Sequence, residues 1–376
     1  MVVKIIVRTY IIFLNGVYLL FKMLPTQNKI VFISRQTDKP SLDFRSIKAE
    51  IESYNLNVKM VFITKKVRKT LIENINNILH TFIQMYHLAT SKICITDGYN
   101  ISISVLRHKK DLKVYQIWHS LAAIKKFGYQ SLNTENKKIF AKAMRMHRKY
   151  SYIITGSKAM IKYFSKAFKY PKEKFVPLGL PRIDYLLNKT KTNRKKIYKV
   201  YPRLRHKKVI LYVPTFRDNN NYKINTVIRK FNLTKYALII KPHSNMPNIK
   251  CKNNKDIYTC DEFTSLQLLS IADYVITDYS AISVEAAVLN KPIYLYTYDL
   301  NEYKKSPGLN VDLNKELPGY VFNKIGDIYE DIKQNKYNLN VVKEFRKKYV
   351  TPYEGNCTKK IVQFILESSD MLEKKN

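Results

Sequence analysis

Glycine is scarce in this chain, 9 among 376 residues, and no stretch reads G-x-x-x-x-G-K-[ST]. Nucleoside triphosphate hydrolysis on a P-loop is therefore not the reading. The four cysteines (Cys94, Cys251, Cys260 and Cys357) form no C-x-x-C and no paired metal spacing. That argues against zinc and disulfides, and for reduced, mostly buried thiols in a cytosolic protein. Acidic residues are few: 29 Asp and Glu stand against 67 Lys and Arg, a formal charge of +38. No Asp-x-Asp pair is present to hold a divalent metal on a nucleotide. Cationic side chains and a helix N-terminus would have to carry the phosphate charge, with no metal and no cofactor. The uncharged run Tyr10–Phe21 is too short for a comfortable membrane span, and Met23-Leu24-Pro25 is a poor signal-peptide cleavage site.

The length is too great for one compact core and suits two α/β domains. A hydrophobic content of 45% is that of a globular chain. The charge calls for an anionic partner: a phosphorylated substrate, an anionic membrane face or nucleic acid. Met1–Leu24, basic and apolar, reads as a helix lying on a membrane surface. Packing of that helix on the protein's own core is the competing reading.

Short β-branched runs alternate with helical spacing throughout. Strands are expected at Lys29–Ser34, Val58–Thr64, Lys92–Asp97, Val114–Trp118, Tyr152–Thr155 and from Phe175. In the second half they are expected at Val209–Val213, Tyr236–Ile240, Asp256–Cys260, Tyr274–Thr277 and Pro292–Tyr296. Helical spacing marks Ser41–Tyr54, Val67–Thr90, Lys137–Tyr150, Ser265–Ala272, Val341–Lys348 and Thr358–Glu367. Asn188–Lys208 is dense in Lys and Arg with little apolar periodicity, and its start reads as an interdomain linker. The alternation means parallel sheets covered on both faces. In such sheets ligands bind outside the carboxyl ends of the strands. The polar clusters all sit there: Trp118-His119, Thr215-Phe216-Arg217-Asp218, Lys241-Pro242-His243-Ser244 and Asp278-Tyr279-Ser280.

Each cluster has a chemistry. His119, followed by Lys125 and Lys126, suits a general base. His243 beside Lys241 suits negative charge growing on a phosphate oxygen. Arg217 can fork onto a second oxygen. Tyr274–Thr277 empties into a helix that Ser280 can cap, with Ser283 and Glu285 in its first turns. A helix N-terminus with added hydroxyls is a ready phosphate site. Structural histidines and an ordinary capped βα turn are the plainer alternatives for each cluster alone. Lys92–Asp97 and Val275–Asp278 both end Ile-Thr-Asp, a faint echo of two similar domains.

Taken together and in order, four segments resemble the CDP-glycerol glycerophosphotransferase family of wall teichoic acid synthesis. They are Val114-Tyr-Gln-Ile-Trp-His119…Lys125-Lys-Phe-Gly128, Leu211-Tyr-Val-Pro-Thr-Phe-Arg-Asp218, Lys241-Pro-His243, and Ala272-Asp-Tyr-Val-Ile-Thr-Asp-Tyr-Ser280…Asn290-Lys-Pro-Ile-Tyr-Leu-Tyr-Thr-Tyr-Asp299. Tyr353-Glu-Gly-Asn356 is a looser match. The resemblance implies a GT-B fold, two Rossmann-like α/β domains facing a cleft. Residues 1–190 would form the acceptor- and membrane-facing domain, 205–340 the donor domain, and 341–376 helices packing back on the first. It implies CDP-glycerol or a related CDP-polyol as donor and CMP as product. The acceptor would be an undecaprenyl-diphosphate-linked saccharide, met by a peripheral enzyme at the cytoplasmic face of an anionic membrane, with no nucleic acid involved. It also implies His119 as the base and His243 as a second essential group near the transferred phosphate. Donor contacts would come from Thr215, Arg217, Lys241, Lys125, Ser280 and Ala281, with Glu285 at the family's acidic position and Asp278 shaping the loop.

Two departures leave the polyol and the acceptor open. Ser120-Leu-Ala-Ala-Ile124 stands where the family has Gly and then Thr-Pro-Leu or similar, and Ala281 replaces a second Ser. A GT-B glycosyltransferase using a nucleotide sugar is the alternative, separated by whether CMP or a nucleoside diphosphate is released. A basic nucleic-acid-binding protein is the alternative from another class, permitted by the charge alone.

Overall fold

The structure is a computed structural model and describes residues 2–66, 71–215, 217, 222–242, 256–350 and 355–372. The chain divides into two compact units. Unit 1 comprises Met1–Ser120, Phe127–Arg182 and Asn356–Asn376; unit 2 comprises Leu121–Lys126 and Ile183–Gly355.

Unit 1 is built on six parallel strands: β1 (Gln27–Ser34), β2 (Lys59–Thr64), β3 (Ser91–Thr96), β4 (Lys113–Gln116), β5 (Tyr152–Ile154) and β6 (Phe175–Val176). They lie in the order β2-β1-β3-β4-β5-β6. β1 and β3 are apolar without alternation, and Ile30–Ile33 and Ile93–Ile95 are fully buried. That is what a sheet covered by helices on both faces requires. From β1 the chain goes out to β2, then returns across β1 to continue on the other side. The reversal lies between β1 and β3, the point where open α/β sheets leave a crevice at their carboxyl ends.

Unit 2 repeats the plan with β7 (Lys208–Tyr212), β8 (Tyr236–Ile240), β9 (Ile257–Tyr258), β10 (Tyr274–Thr277), β11 (Ile293–Tyr296) and β12 (Val321–Phe322). The order is β12-β11-β10-β7-β8-β9, all parallel. Here the reversal lies between β7 and β10. The Ile-Thr-Asp echo falls at both reversals: Asp97 follows β3, and Asp278 follows β10.

Three elements differ from expectation. The basic stretch read as the start of a linker is helical, spanning Pro181–Val200. Its buried stripe is Ile183, Leu186, Asn193 and Ile197. The polar Asn193 occupies a core-facing position, with Tyr185 Oη donating to its Oδ1 at 3.2 Å. An amide on the buried stripe, among so many lysines, hides the helical period. The two C-terminal helices part company: Leu339–Tyr349 packs on Ile282–Val288 in unit 2, and only Cys357–Ser368 joins unit 1. There Tyr115 Oη donates to the Ile365 carbonyl at 3.2 Å.

The N-terminal helix runs Val2–Lys22, and its Ile5–Lys22 window is long and apolar enough to cross a membrane by length and composition. This is longer than the uncharged run alone suggests, because Arg8 and Lys22 are carried within the helix. One face packs on the protein's own core, and the other is exposed. Val7, Leu14 and Tyr18 are buried at roughly seven- and four-residue spacing. Polar pins add to them: Asn15 Nδ2 donates to Val105 O at 3.2 Å, Arg107 N donates to Asn15 Oδ1 at 2.9 Å, and Tyr18 Oη meets His108 Nδ1 at 3.0 Å. The opposite face exposes Ile5, Ile12 and Leu19 in one row and Ile6, Phe13 and Leu20 in the next.

Candidate active site

In unit 1 the strand ends β1, β3 and β4 converge on His119. Its Nδ1 lies 2.9 Å from the backbone carbonyl of Asp97. A carbonyl only accepts, so Nδ1 carries the proton and the lone pair of the neutral ring is on Nε2. The ring is exposed. It follows Trp118, which sits in the left-handed region at φ 54°, a conformation costing a non-glycine residue about 1–3 kcal/mol. Two things hold it. Trp118 N donates to Gln116 Oε1 at 2.8 Å. The indole stacks on Phe127 at 5.0 Å and meets Phe168 edge-on at 5.1 Å. Gly128 explains the end of that motif. At φ 57° a Cβ there would lie 2.4 Å from the Ala167 carbonyl, so only glycine lets Phe127 pack beneath the indole.

Asp97 is 2% exposed. Ser34 Oγ donates to its Oδ2 at 2.9 Å, while its Oδ1 is buried with no hydrogen-bond partner among the described residues. Burial pushes this carboxyl up to about 7; the Ser34 hydrogen bond works against the shift, nearby Asp43 adds to it, and Arg182 opposes it. His147, beneath Trp118, is a different kind of histidine. It stacks on Phe168 at 4.0 Å, and burial lowers it to about 3, with a smaller push from His119 when that ring is protonated. It is a neutral packing ring.

In unit 2 the carboxylate at the reversal, Asp278, is saturated. It accepts from Thr215 N at 3.0 Å, Thr215 Oγ1 at 2.5 Å, Tyr279 N at 2.7 Å and Arg217 Nη1 at 2.8 Å. Thr215 thus points at Asp278. Arg217 is 7% exposed, and its fork faces two carboxylates. Nε and Nη2 lie on Asp299 at 2.5 and 3.0 Å, and Nη1 serves the Thr215 carbonyl as well as Asp278. Burial opposes the guanidinium charge, but Asp299 and Asp278 outweigh it and push its pKa up. Asp299 also accepts from Tyr279 Oη at 2.9 Å. The segment Leu121–Lys126 is fastened to this unit: Lys126 N donates to Gly308 O at 2.9 Å, Asn310 N to Ile124 O at 2.8 Å, and Asn310 Nδ2 to Ala123 O at 2.9 Å. It brings Lys125 into the field of Asp278 and Arg217. Burial lowers the Lys125 pKa, Asp278 opposes that, and Arg217 adds to it.

Ser280 stands one residue before the N-cap position. The helix is Ile282–Val288, and its N-cap is Ala281, which has no side chain to cap it. Ser280 Oγ lies 3.4 Å from Ile282 N, and Ser283 Oγ turns back to the Ser280 carbonyl at 2.9 Å. Glu285 is buried within that helix. Lys241 Nζ donates to Cys260 O at 3.1 Å and stands 3.9 Å from Asp261. His243 lies outside the described residues. Sequence reasoning passed over Asp97, Gln116 and Asp299 as partners. Gln116 and Asp299 stood inside the quoted motifs, and Asp97 in the Ile-Thr-Asp echo.

Comparisons with known proteins bear on the family and the fold. The family described as CDP-Glycerol:Poly(glycerophosphate) glycerophosphotransferase matches residues 17–367. The teichoic acid ribitol-phosphate primase of Bacillus spizizenii is 29% identical over 364 residues, 92% of this chain and 93% of that one. The teichoic acid glycerol-phosphate primase of Bacillus subtilis is 27% identical, over 96% of this chain and 98% of that one. Among solved structures, a histidine-to-alanine variant of the wall teichoic acid polymerase TagF superposes with a TM-score of 0.75 at 17% identity, covering 100% of both chains. With two parallel sheets of the GT-B kind and a match across nearly its whole length, the chain belongs to the CDP-glycerol:poly(glycerophosphate) glycerophosphotransferase family.

Proposed function

We propose that this enzyme moves glycerol phosphate, or the closely related ribitol phosphate, from its CDP ester to a hydroxyl of an undecaprenyl-diphosphate-linked saccharide. In the reaction, His119 Nε2 takes the proton of the acceptor hydroxyl. The oxygen attacks the β-phosphorus, a new P–O bond forms, and the bond to CMP breaks. The observation that carries the reading is the Nδ1–Asp97 carbonyl hydrogen bond, which leaves the basic nitrogen of an exposed ring at Nε2. Lys125 suits the donor diphosphate, since an anion would restore a proton that burial disfavours. His243, Ser280 and Lys241 are the remaining proposed contacts, and Thr215 and Arg217 act by holding the loop.

A membrane surface is the proposed workplace. The outward rows of the N-terminal helix continue onto its neighbour Leu71–Thr90, which exposes Ile78, Leu79 and Ile83, and onto Glu135–Ala143, which exposes Phe140. An apolar platform with basic residues such as Arg8 beside it suits anionic lipid.

The test is incubation with labelled CDP-glycerol and CDP-ribitol against a short-chain lipid acceptor. CMP should be released, and His119→Ala should abolish transfer while leaving donor affinity within about twofold. Release of a nucleoside diphosphate, or unimpaired turnover by His119→Ala, would overturn the reading.

A further inference from the structure

Gln116 is fully buried at the end of β4, directly across from Thr96 at the end of β3. Its two amide atoms do two different jobs. Nε2 donates to the Gly98 carbonyl at 3.0 Å, and Oε1 accepts from the Trp118 amide at 2.8 Å. Only this orientation of the amide satisfies both partners. One side chain therefore ties the loop after β3, whose Asp97 carbonyl accepts the hydrogen bond of His119 Nδ1–H, to the loop after β4, which carries His119. It also spans the one residue between them that needs holding, the left-handed Trp118.

We propose that Gln116 is a positioning residue of the transfer reaction: its amide sets the spacing between the Asp97 carbonyl and the His119 ring, and so selects the imidazole tautomer that presents Nε2 to the acceptor. The proposal rests on the reading of His119 as the base. Its reach is through His119 alone; no role toward the donor nucleotide is assigned to it. A leucine there would keep the volume and lose both tethers. A glutamate would keep an acceptor for Trp118 N–H.

Trp118 is the only tryptophan in the chain, so the loop carries its own reporter. Gln116→Leu, Gln116→Glu and His119→Ala are to be compared in the full-length protein. Steady-state transfer from CDP-glycerol, the Trp118 emission maximum and its quenching by acrylamide are measured on each. Gln116→Leu should lower kcat at least tenfold, leave KM for the donor within twofold, and make Trp118 more quenchable. Gln116→Glu should recover the emission and part of kcat. The proposal is overturned if Gln116→Leu keeps kcat within twofold of the parent, or if kcat falls with Trp118 emission and quenching unaltered. It is equally overturned if KM rises along with the loss of kcat in both Gln116 variants, which marks general damage. Full turnover by His119→Ala would instead remove the underlying reading, whatever the Gln116 variants do.

Discussion

Arg217→Met separates two roles for one side chain. A phosphate contact would be lost with little change in folding. A buried clamp would be lost at the expense of unit 2 itself. Arg217 spends Nε, both faces of Nη1 and one of Nη2 on Asp299, Asp278 and the Thr215 carbonyl. The side chains of Asp278 and Asp299 are only 3% and 14% exposed. Methionine replaces only the apolar stem and leaves two carboxylates without their cation. Breaking a buried pair in this way costs about 3–5 kcal/mol, chiefly because a charge is left uncompensated. Asp278 keeps Thr215 and Tyr279 as donors, whereas Asp299 keeps only the Tyr279 hydroxyl among the contacts above, so most of the loss should fall at Asp299. Burial pushes the Asp299 carboxyl up, and the Arg217 hydrogen bond and charge more than reverse this, leaving it below its ordinary value. Its share of stability is therefore present above the unfolded pKa of about 3.9 and is lost as pH falls through the lower folded value. Urea unfolding near neutral pH should show the full deficit. The triple change Arg217→Met, Asp278→Asn, Asp299→Asn should recover much of it. An Arg217→Met protein that unfolds within about 0.5 kcal/mol of the parent, yet no longer binds CDP-glycerol, would refute the clamp.

Gly128→Ala should lower stability by about 1–3 kcal/mol through its positive φ and the Ala167 carbonyl, and should reduce transfer by disturbing the packing under Trp118; thermal melting and turnover check it. Asp97→Asn removes a carboxyl raised to about 7. In the parent, stability from that group is complete below the unfolded value and declines by up to roughly 1.4 kcal/mol per pH unit between about pH 4 and 7. Urea midpoints of the Asn variant should lose that decline, and parallel pH curves would contradict it. The pair Ile12→Glu and Leu19→Glu lies on the outer face of the N-terminal helix. It should leave folding intact and weaken sedimentation with anionic vesicles by about tenfold or more; unchanged binding removes the platform from the membrane.

The βα alternation, the switch-point clusters and the Trp-His turn are all readable in one dimension, because they depend on local period and on residues a few positions apart. What could not be read depends on distance along the chain. Arg217 and Asp299 lie 82 residues apart, so nothing near Thr215 tells that the guanidinium has a carboxylate waiting. The Pro181–Val200 helix was masked by Asn193 on its buried stripe. The N-cap position falls on Ala281, one residue after Ser280, since hydroxyl placement depends on the turn that Ala281 completes. The N-terminal helix offered two readings because it has two apolar faces, one buried and one exposed, and period alone does not say which face meets protein.

The last helix has a further consequence. Tyr115, in the middle of the first sheet, donates a hydrogen bond from its hydroxyl to a carbonyl 250 positions later in the chain. A ribosome making this protein must therefore release almost all of it before the first lobe can close. Until then the emerging chain holds an uncovered apolar face that invites chaperones or early misassembly. Shortening the tail should hurt yield and solubility well before it touches catalysis.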